Sequence, residues 1–155
     1  MAKVLVTGAT GFIGSRIVRQ LCEAGEHVKV LVRPGSSTKA LGKLPVEPAT
    51  GDITLGDTVF RALAGCDRLF HVAAVYRQWD RDPETIFRPA IDGTREVLEA
   101  VRRRDGMVRK VVVTSSVAAI GAVRRKPGLP EPLDESATWD LDDSETYIVA
   151  KRRAE

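Results

Sequence analysis

The stretch Thr7-Gly8-Ala9-Thr10-Gly11-Phe12-Ile13-Gly14 decides how this chain is read. It follows a short β-branched run, Lys3–Thr7, and opens an apolar-periodic stretch from Phe12 to Ala24 that stops at Gly25. A glycine-rich turn with a strand before it and a helix after it is the context in which glycines bind phosphate. Gly8 permits the tight turn, Gly11 lets the backbone approach a pyrophosphate, and Gly14 lets the helix pack closely. The helix N-terminus adds free N–H groups and the positive end of a dipole, so Thr10, Phe12 and Ile13 join the candidate binding turn. An ordinary βα turn is the plainer alternative. A second apolar run, Val28–Val32, arrives where a dinucleotide-binding unit needs its second strand, and that favours the dinucleotide.

Outward from that turn the chain keeps alternating. Val46–Ala49 is a third strand limited by Pro45 and Pro48, Asp57–Ala64 a short helix, and Leu69–Ala74 a fourth strand. A long helix spans Glu84 to Arg104, and Lys110–Thr114 is a fifth strand. Gly121–Asp143, dense in Pro, Gly and acids, reads as an exposed loop, and a last helix begins near Glu145. Strands separated by helices imply right-handed parallel βαβ units. The predicted fold is therefore α/β, a doubly wound parallel sheet of the Rossmann type with strand order 3-2-1-4-5, in one domain over residues 1–155.

Composition removes other classes. The chain has 155 residues, 43% hydrophobic and 29% charged, within the ordinary range of globular domains. Its apolar runs, Val111–Val113 and Val117–Ile120 among them, fall far short of the ~20 residues of a membrane span, and the start carries no secretory signal pattern. A cytoplasmic protein is expected. A formal charge of +3 is no nucleic-acid footprint, and Arg102-Arg103-Arg104 reads as a solvated last helical turn whose cations suit the dipole. Cys22 and Cys66 have no ligand spacing and read as reduced core thiols, so neither metal nor disulfide chemistry is expected.

Two further patterns carry chemistry. An NAD site places an Asp or Glu at the end of the second strand to hold the ribose 2′-hydroxyl. This chain has Val32-Arg33-Pro34-Gly35-Ser36-Ser37 there. Arg33 suits a 2′-phosphate, with Ser36 and Ser37 as hydrogen-bond donors, so NADP(H) is favoured and NAD(H) is the alternative. Tyr147 and Lys151 stand at i and i+4, on one helix face. A cation near a phenol favours its phenolate, which makes the pair a workable general acid/base for an alcohol or carbonyl oxygen. Ser115 and Ser116 follow the fifth strand, at the sheet edge where ligands bind in open α/β folds. His71, alone at a strand end, reads as structural.

Thr-Gly-Ala-Thr-Gly-Phe-Ile-Gly, with its Gly-x-x-Gly-x-x-Gly spacing, resembles the fingerprint of the extended short-chain dehydrogenases/reductases, and the likeness continues along the whole chain. The resemblance implies Asp52 beside the adenine amino group with Ile53 adjacent, and Ala73 and Ala74 where the backbone passes close to the cofactor. It implies Ser115 as a cofactor neighbour, Ser116 polarising the reacting oxygen, Tyr147 exchanging the proton, and Lys151 holding the nicotinamide ribose. Pro89–Thr94, Asp134-Glu135-Ser136 with Trp139, and Val112–Ser116 resemble the dihydroflavonol reductase and cinnamoyl-CoA reductase branch. His71–Trp79 also resembles a bacterial sugar-epimerase-like branch associated with hopanoid gene clusters.

Many members carry asparagine where Ala90 stands, which weighs against a nucleotide-sugar epimerase. The resemblance thus implies an NADP(H)-dependent carbonyl reductase acting on a small molecule, with no nucleic-acid or membrane partner and with a homodimer allowed. A nucleotide-sugar epimerase or dehydratase with retained NAD(P) and a non-catalytic NADP-sensing module are the alternatives. Members of the family continue into a C-terminal substrate region, which is expected to be missing here.

Overall fold

The runs of Val and Leu that flank the glycine turn form strands covered on both faces, which is what a parallel sheet requires. The computed structural model describes residues 3–74, 80–120 and 146–154. Its strands are β1 (Lys3–Thr7), β2 (His27–Val32), β3 (Val46–Thr50), β4 (Cys66–His71) and β5 (Lys110–Val113). Its helices are α1 (Phe12–Glu23), α2 (Gly56–Ala62), α3 (Glu84–Arg102), α4 (Val117–Ile120) and α5 (Thr146–Ala154), with a 3-10 turn at Lys39–Leu41. The sheet order is β3-β2-β1-β4-β5, and every neighbouring pair is parallel. The doubly wound Rossmann sheet expected from the sequence is the fold observed.

Alternation along β1 divides the core. Val4 and Val6 join Val18 of α1 and Val28 and Val30 of β2 in one apolar cluster. Leu5 turns to the other face, among Leu31, Val59 and Leu63 of the α2 segment, Leu69 of β4 and Val97 of α3. The two outer strands differ. β3 carries Glu47 and Pro48 at its centre, whereas β5 is Lys-Val-Val-Val with Val112 and Val113 exposed.

Several boundaries differ from the sequence reading, most clearly those of β4 and α2. β4 begins at Cys66 rather than Leu69, because Asp67 and Arg68 are accommodated in the strand by charge partners. Arg68 makes a two-pronged pair with Glu26 at 2.8 and 2.6 Å, and Asp67 takes Arg109 at 2.8 Å. β4 ends at His71 rather than Ala74, because the Ala73 amide leaves the ladder for the Thr7 hydroxyl at 3.2 Å. α2 starts at Gly56 and ends at Ala62, one residue earlier and two residues shorter at its C-terminus than expected.

The arginine run is also not uniformly solvated. Arg102 pairs with Glu99 at 2.7 Å, and Arg103 pairs with Asp57 at 2.9 Å. Arg104, however, is half-buried: its guanidinium lies 3.9 Å from the centre of the Phe60 ring and donates to the Phe60 carbonyl. An arginine's apolar stem and flat guanidinium favour such a seat on an aromatic face. Both cysteines are free thiols, Cys66 buried and Cys22 half-buried, and burial pushes both thiol pKa values up.

Contacts divide the chain into two compact units, residues 1–74 with 93–114, and residues 75–92 with 115–155. The first holds the whole sheet. Among the described residues no helix is long and apolar enough to cross a membrane, and no group of His, Cys, Asp and Glu could hold a metal ion. The expected loop at Gly121–Asp143, with Asp134–Ser136 and Trp139, and the stretch Val75–Trp79 lie outside the described residues.

Candidate functional site

In the first unit, β1 delivers the chain into the glycine turn. Gly8 has φ +68°, the left-handed region that side chains disfavour. A Cβ there would lie 2.6 Å from the Ala73 nitrogen and 2.7 Å from its Cα, so backbone occupies the space a side chain would need. The turn closes with the Gly11 amide donating to the Gly8 carbonyl at 3.0 Å. A Cβ on Gly14 would run into that same carbonyl oxygen, so the first turn of α1 sits directly on the glycine turn. Gly11 is different: a Cβ there would meet one atom, the Gly8 oxygen at 3.3 Å.

α1 begins at Phe12 with no side-chain cap and no acidic residue in its first turn. An uncapped first turn leaves amide groups without intrahelical partners. Thr10 is half-buried, and Phe12 and Ile13 are 75% and 53% exposed beside the turn. A tight glycine turn and the uncapped amides at the head of α1 are the groups that hold a pyrophosphate in dinucleotide-binding turns.

The chain leaves β2 through Arg33 and Ser37, both exposed, and Ser36, half-buried. Ser36 donates its amide to the Arg33 carbonyl at 3.0 Å, and Ser37 Oγ accepts from the Lys39 amide at 3.4 Å. The turn therefore ties Ser36 to Arg33, and no carboxylate lies between Val32 and Thr38. Beyond β3, Asp52 Oδ1 accepts from the amide and the hydroxyl of Thr54 at 2.9 and 2.8 Å. One oxygen of that carboxylate thus shapes the turn into α2. Ile53 packs on α3, its Cδ1 2.8 Å from where a Cβ of Gly93 would stand.

At the end of β4, Ala73 is half-buried and Ala74 exposed. His71 is 2% exposed, its Nδ1 2.8 Å from Thr7 Oγ1 and its Nε2 3.4 Å from Thr94 Oγ1. This agrees with the structural reading of His71. Thr7, fully buried, is a participant that sequence reasoning took only as a strand end. Its contact with His71 joins residues 64 apart and is set by strand register, so no local sequence signal marked it.

The second unit holds the other candidates. Ser115 is exposed and Ser116 half-buried; the Ser116 carbonyl accepts the Ala119 amide at 2.8 Å, so Ser116 opens α4. α4 packs against α5, the helix that carries Tyr147 and Lys151. The Lys151 ammonium lies 5.6 Å from the centre of the Tyr147 ring, the i, i+4 approach that the spacing predicts. Burial lowers the Lys151 pKa below that of an ordinary lysine, because desolvation disfavours the charged form. Val149 and Ala150, between them in sequence, are buried.

Comparison with known proteins adds the lineage. A protein of Synechocystis sp. provisionally named dihydroflavonol 4-reductase is 43% identical over 116 residues, 75% of this chain and 33% of its own. The dihydroflavonol 4-reductase of Hordeum vulgare is 32% identical over 149 residues, 90% of this chain and 41% of its own. The crystal structure of gox2253 superposes with a TM-score of 0.83 at 41% identity, covering 99% of this chain and 45% of that one. The chain thus spans a third to somewhat under half of the length of these relatives. Residues 4–155 match the NAD dependent epimerase/dehydratase family, and the chain belongs to that family.

Proposed function

We propose that residues 1–155 are the dinucleotide-binding domain of a cytoplasmic NADP(H)-dependent oxidoreductase that reduces a carbonyl group of a small organic molecule. The observation that carries this reading is the pairing on α5. Lys151 stands 5.6 Å from the Tyr147 ring centre, and α4, which Ser116 opens, packs on the same helix. A positioned phenol beside a cation can give a proton to an oxygen that gains negative charge. The nicotinamide, when bound, supplies the hydride. Tyr147 then gives the proton to the reacting oxygen, Ser116 donates a hydrogen bond to that oxygen, and Lys151 holds the nicotinamide ribose.

NADP(H) is the cofactor of this reading. Arg33 is exposed at the end of β2, and no carboxylate lies between Val32 and Thr38 to hold a ribose 2′-hydroxyl in place of a phosphate. The relatives named as reductases support reduction of a carbonyl. The family's own description supports a second reading, a nucleotide-sugar epimerase or dehydratase that keeps its NAD(P) bound. Purified protein incubated with a panel of aldehydes and ketones separates the two. Net oxidation of NADPH supports the reductase. Turnover of a sugar nucleotide without net cofactor consumption would replace it with the second reading.

A further inference from the structure

The buried polar chain at the C-terminal ends of β1 and β4 has no part in the chemistry proposed above. Thr7 and His71 face each other in the β1–β4 register, and their side chains meet at 2.8 Å. The Ala73 amide lies 3.2 Å from the same Thr7 oxygen. An amide N–H can only donate, so the Thr7 oxygen accepts from Ala73. The hydroxyl hydrogen of Thr7, fully buried, then needs an acceptor, and His71 Nδ1 stands in hydrogen-bond range. With His71 Nδ1 as that acceptor, the ring proton sits on Nε2, the nitrogen that faces Thr94 Oγ1 at 3.4 Å. The His71 carbonyl also takes the Thr114 amide at 2.9 Å, which ties the end of β4 to the exit of β5.

This arrangement holds a particular piece of backbone. Ala73 is the residue whose nitrogen and Cα lie within 2.7 Å of the place a Gly8 Cβ would take. The wall of the glycine turn is thus the Ala73 main chain, and the Thr7 hydroxyl, oriented by His71, is what holds that amide.

We propose that His71 is a positioning residue for the dinucleotide. Acting through Thr7, it pins the Ala73 backbone against the Gly8 turn and so sets the width of the cofactor cleft at that point. This rests on the dinucleotide reading of the turn. His71 touches neither cofactor nor substrate in this scheme; its effect passes through Thr7 and Ala73.

The test compares His71→Leu, which removes the acceptor, and Thr7→Val, which removes the hydroxyl, with His71→Asn, whose side-chain oxygen can accept from Thr7. Two quantities are measured on folded protein, well below each variant's unfolding temperature: hydrogen exchange at the Ala73 amide without ligand, and dissociation constants for NADPH and NADH. His71→Leu and Thr7→Val should expose the Ala73 amide to exchange and weaken dinucleotide binding by about tenfold, a loss of the size a broken buried hydrogen bond allows. His71→Asn should keep both properties near wild type, and the double variant should lose no more than the worse single one. Folded His71→Leu or Thr7→Val protein with wild-type affinity, or His71→Asn protein as weak as His71→Leu, overturns the proposal. A wild-type chain that binds neither dinucleotide overturns the reading beneath it. That outcome is told apart because Ala73 exchange, measured without ligand, would still respond to the variants.

Discussion

The main chain of Ala73 occupies the place where a side chain on Gly8 would have to go, its nitrogen 2.6 Å from an ideal Cβ. Two residues 65 positions apart in sequence are thereby made dependent on one another, and the dependence is asymmetric. At this contact Ala73 takes part through its main chain, which any residue would supply. Gly8 has no such freedom.

Gly8→Ala combines a left-handed φ, costing an L-residue about 1–2 kcal/mol, with a collision against backbone that cannot rotate away. Urea unfolding should show a loss of about 2 kcal/mol or more. Gly11→Ala should stay within about 1 kcal/mol of wild type, because extended backbone accepts any residue and one contact at 3.3 Å needs little adjustment. Gly11→Val should remain folded and lose dinucleotide affinity, read by fluorescence titration. Unchanged affinity in that variant would remove the pyrophosphate from the glycine turn.

Arg33→Ala should narrow the margin between NADP(H) and NAD(H). A charge-assisted hydrogen bond to phosphate is worth about 1.5–3 kcal/mol, or roughly 10- to 150-fold in affinity. NAD(H) binding should change little, since Arg33 is exposed and its loss disturbs no packing. Equal affinity of the wild type for the two cofactors would contradict the assignment.

In the full protein, Tyr147→Phe should lower turnover by about 10²–10⁴, the usual contribution of a positioned acid/base, with cofactor binding retained. Lys151→Ala should impair both, because the same ammonium is assigned to the ribose and stands beside the phenol. Steady-state kinetics paired with direct titration of cofactor separates the two effects. A fully active Tyr147→Phe variant would send the search for the proton donor elsewhere.

Acid should weaken the sheet at the start of β4. The Arg68 guanidinium holds the Glu26 carboxyl below its ordinary value of 4.5. Arg109, followed by Arg68, does the same to Asp67 from 3.8. A carboxylate whose pKa is depressed by folding stabilises the fold above its unfolded value, and that contribution disappears as pH falls through the folded one. Stability measured by chemical unfolding should therefore decline below about pH 4.5. Arg68→Met should be less stable at neutral pH and show a shallower decline in acid. A variant with the wild-type slope would show that the pairs do not set the acid response.

What could be read in the sequence and what could not follows from distance along the chain. β1, the turn and α1 are specified by residues within one another's reach: β-branched residues, then glycines at fixed offsets, then a helical period ending before Gly25. The start of β4 was missed because Asp67 and Arg68 look like a loop until Glu26, 42 residues from Arg68, is brought beside them. Arg104 looked solvated because its seat, Phe60, lies 44 residues away. The tyrosine–lysine pair was legible as spacing on one helix. The Thr7–His71 contact was not, since it joins residues 64 apart and depends on register.

The contrast between the two outer strands has a consequence for growth of the sheet. β3 presents Pro48 at its middle, a residue with no N–H to offer another strand, and Glu47 beside it adds charge. Both are recognised ways of stopping edge-to-edge association. β5 presents lysine followed by three valines, two of them exposed, with no proline or acid among them. A β-structure with one sealed margin and one sticky margin can be extended from one side only. Any strand recruited by hydrogen bonding, whether from the same polypeptide or another, must therefore arrive beside Val111–Val113, and a charge placed there would govern solubility more than the same charge placed on β3.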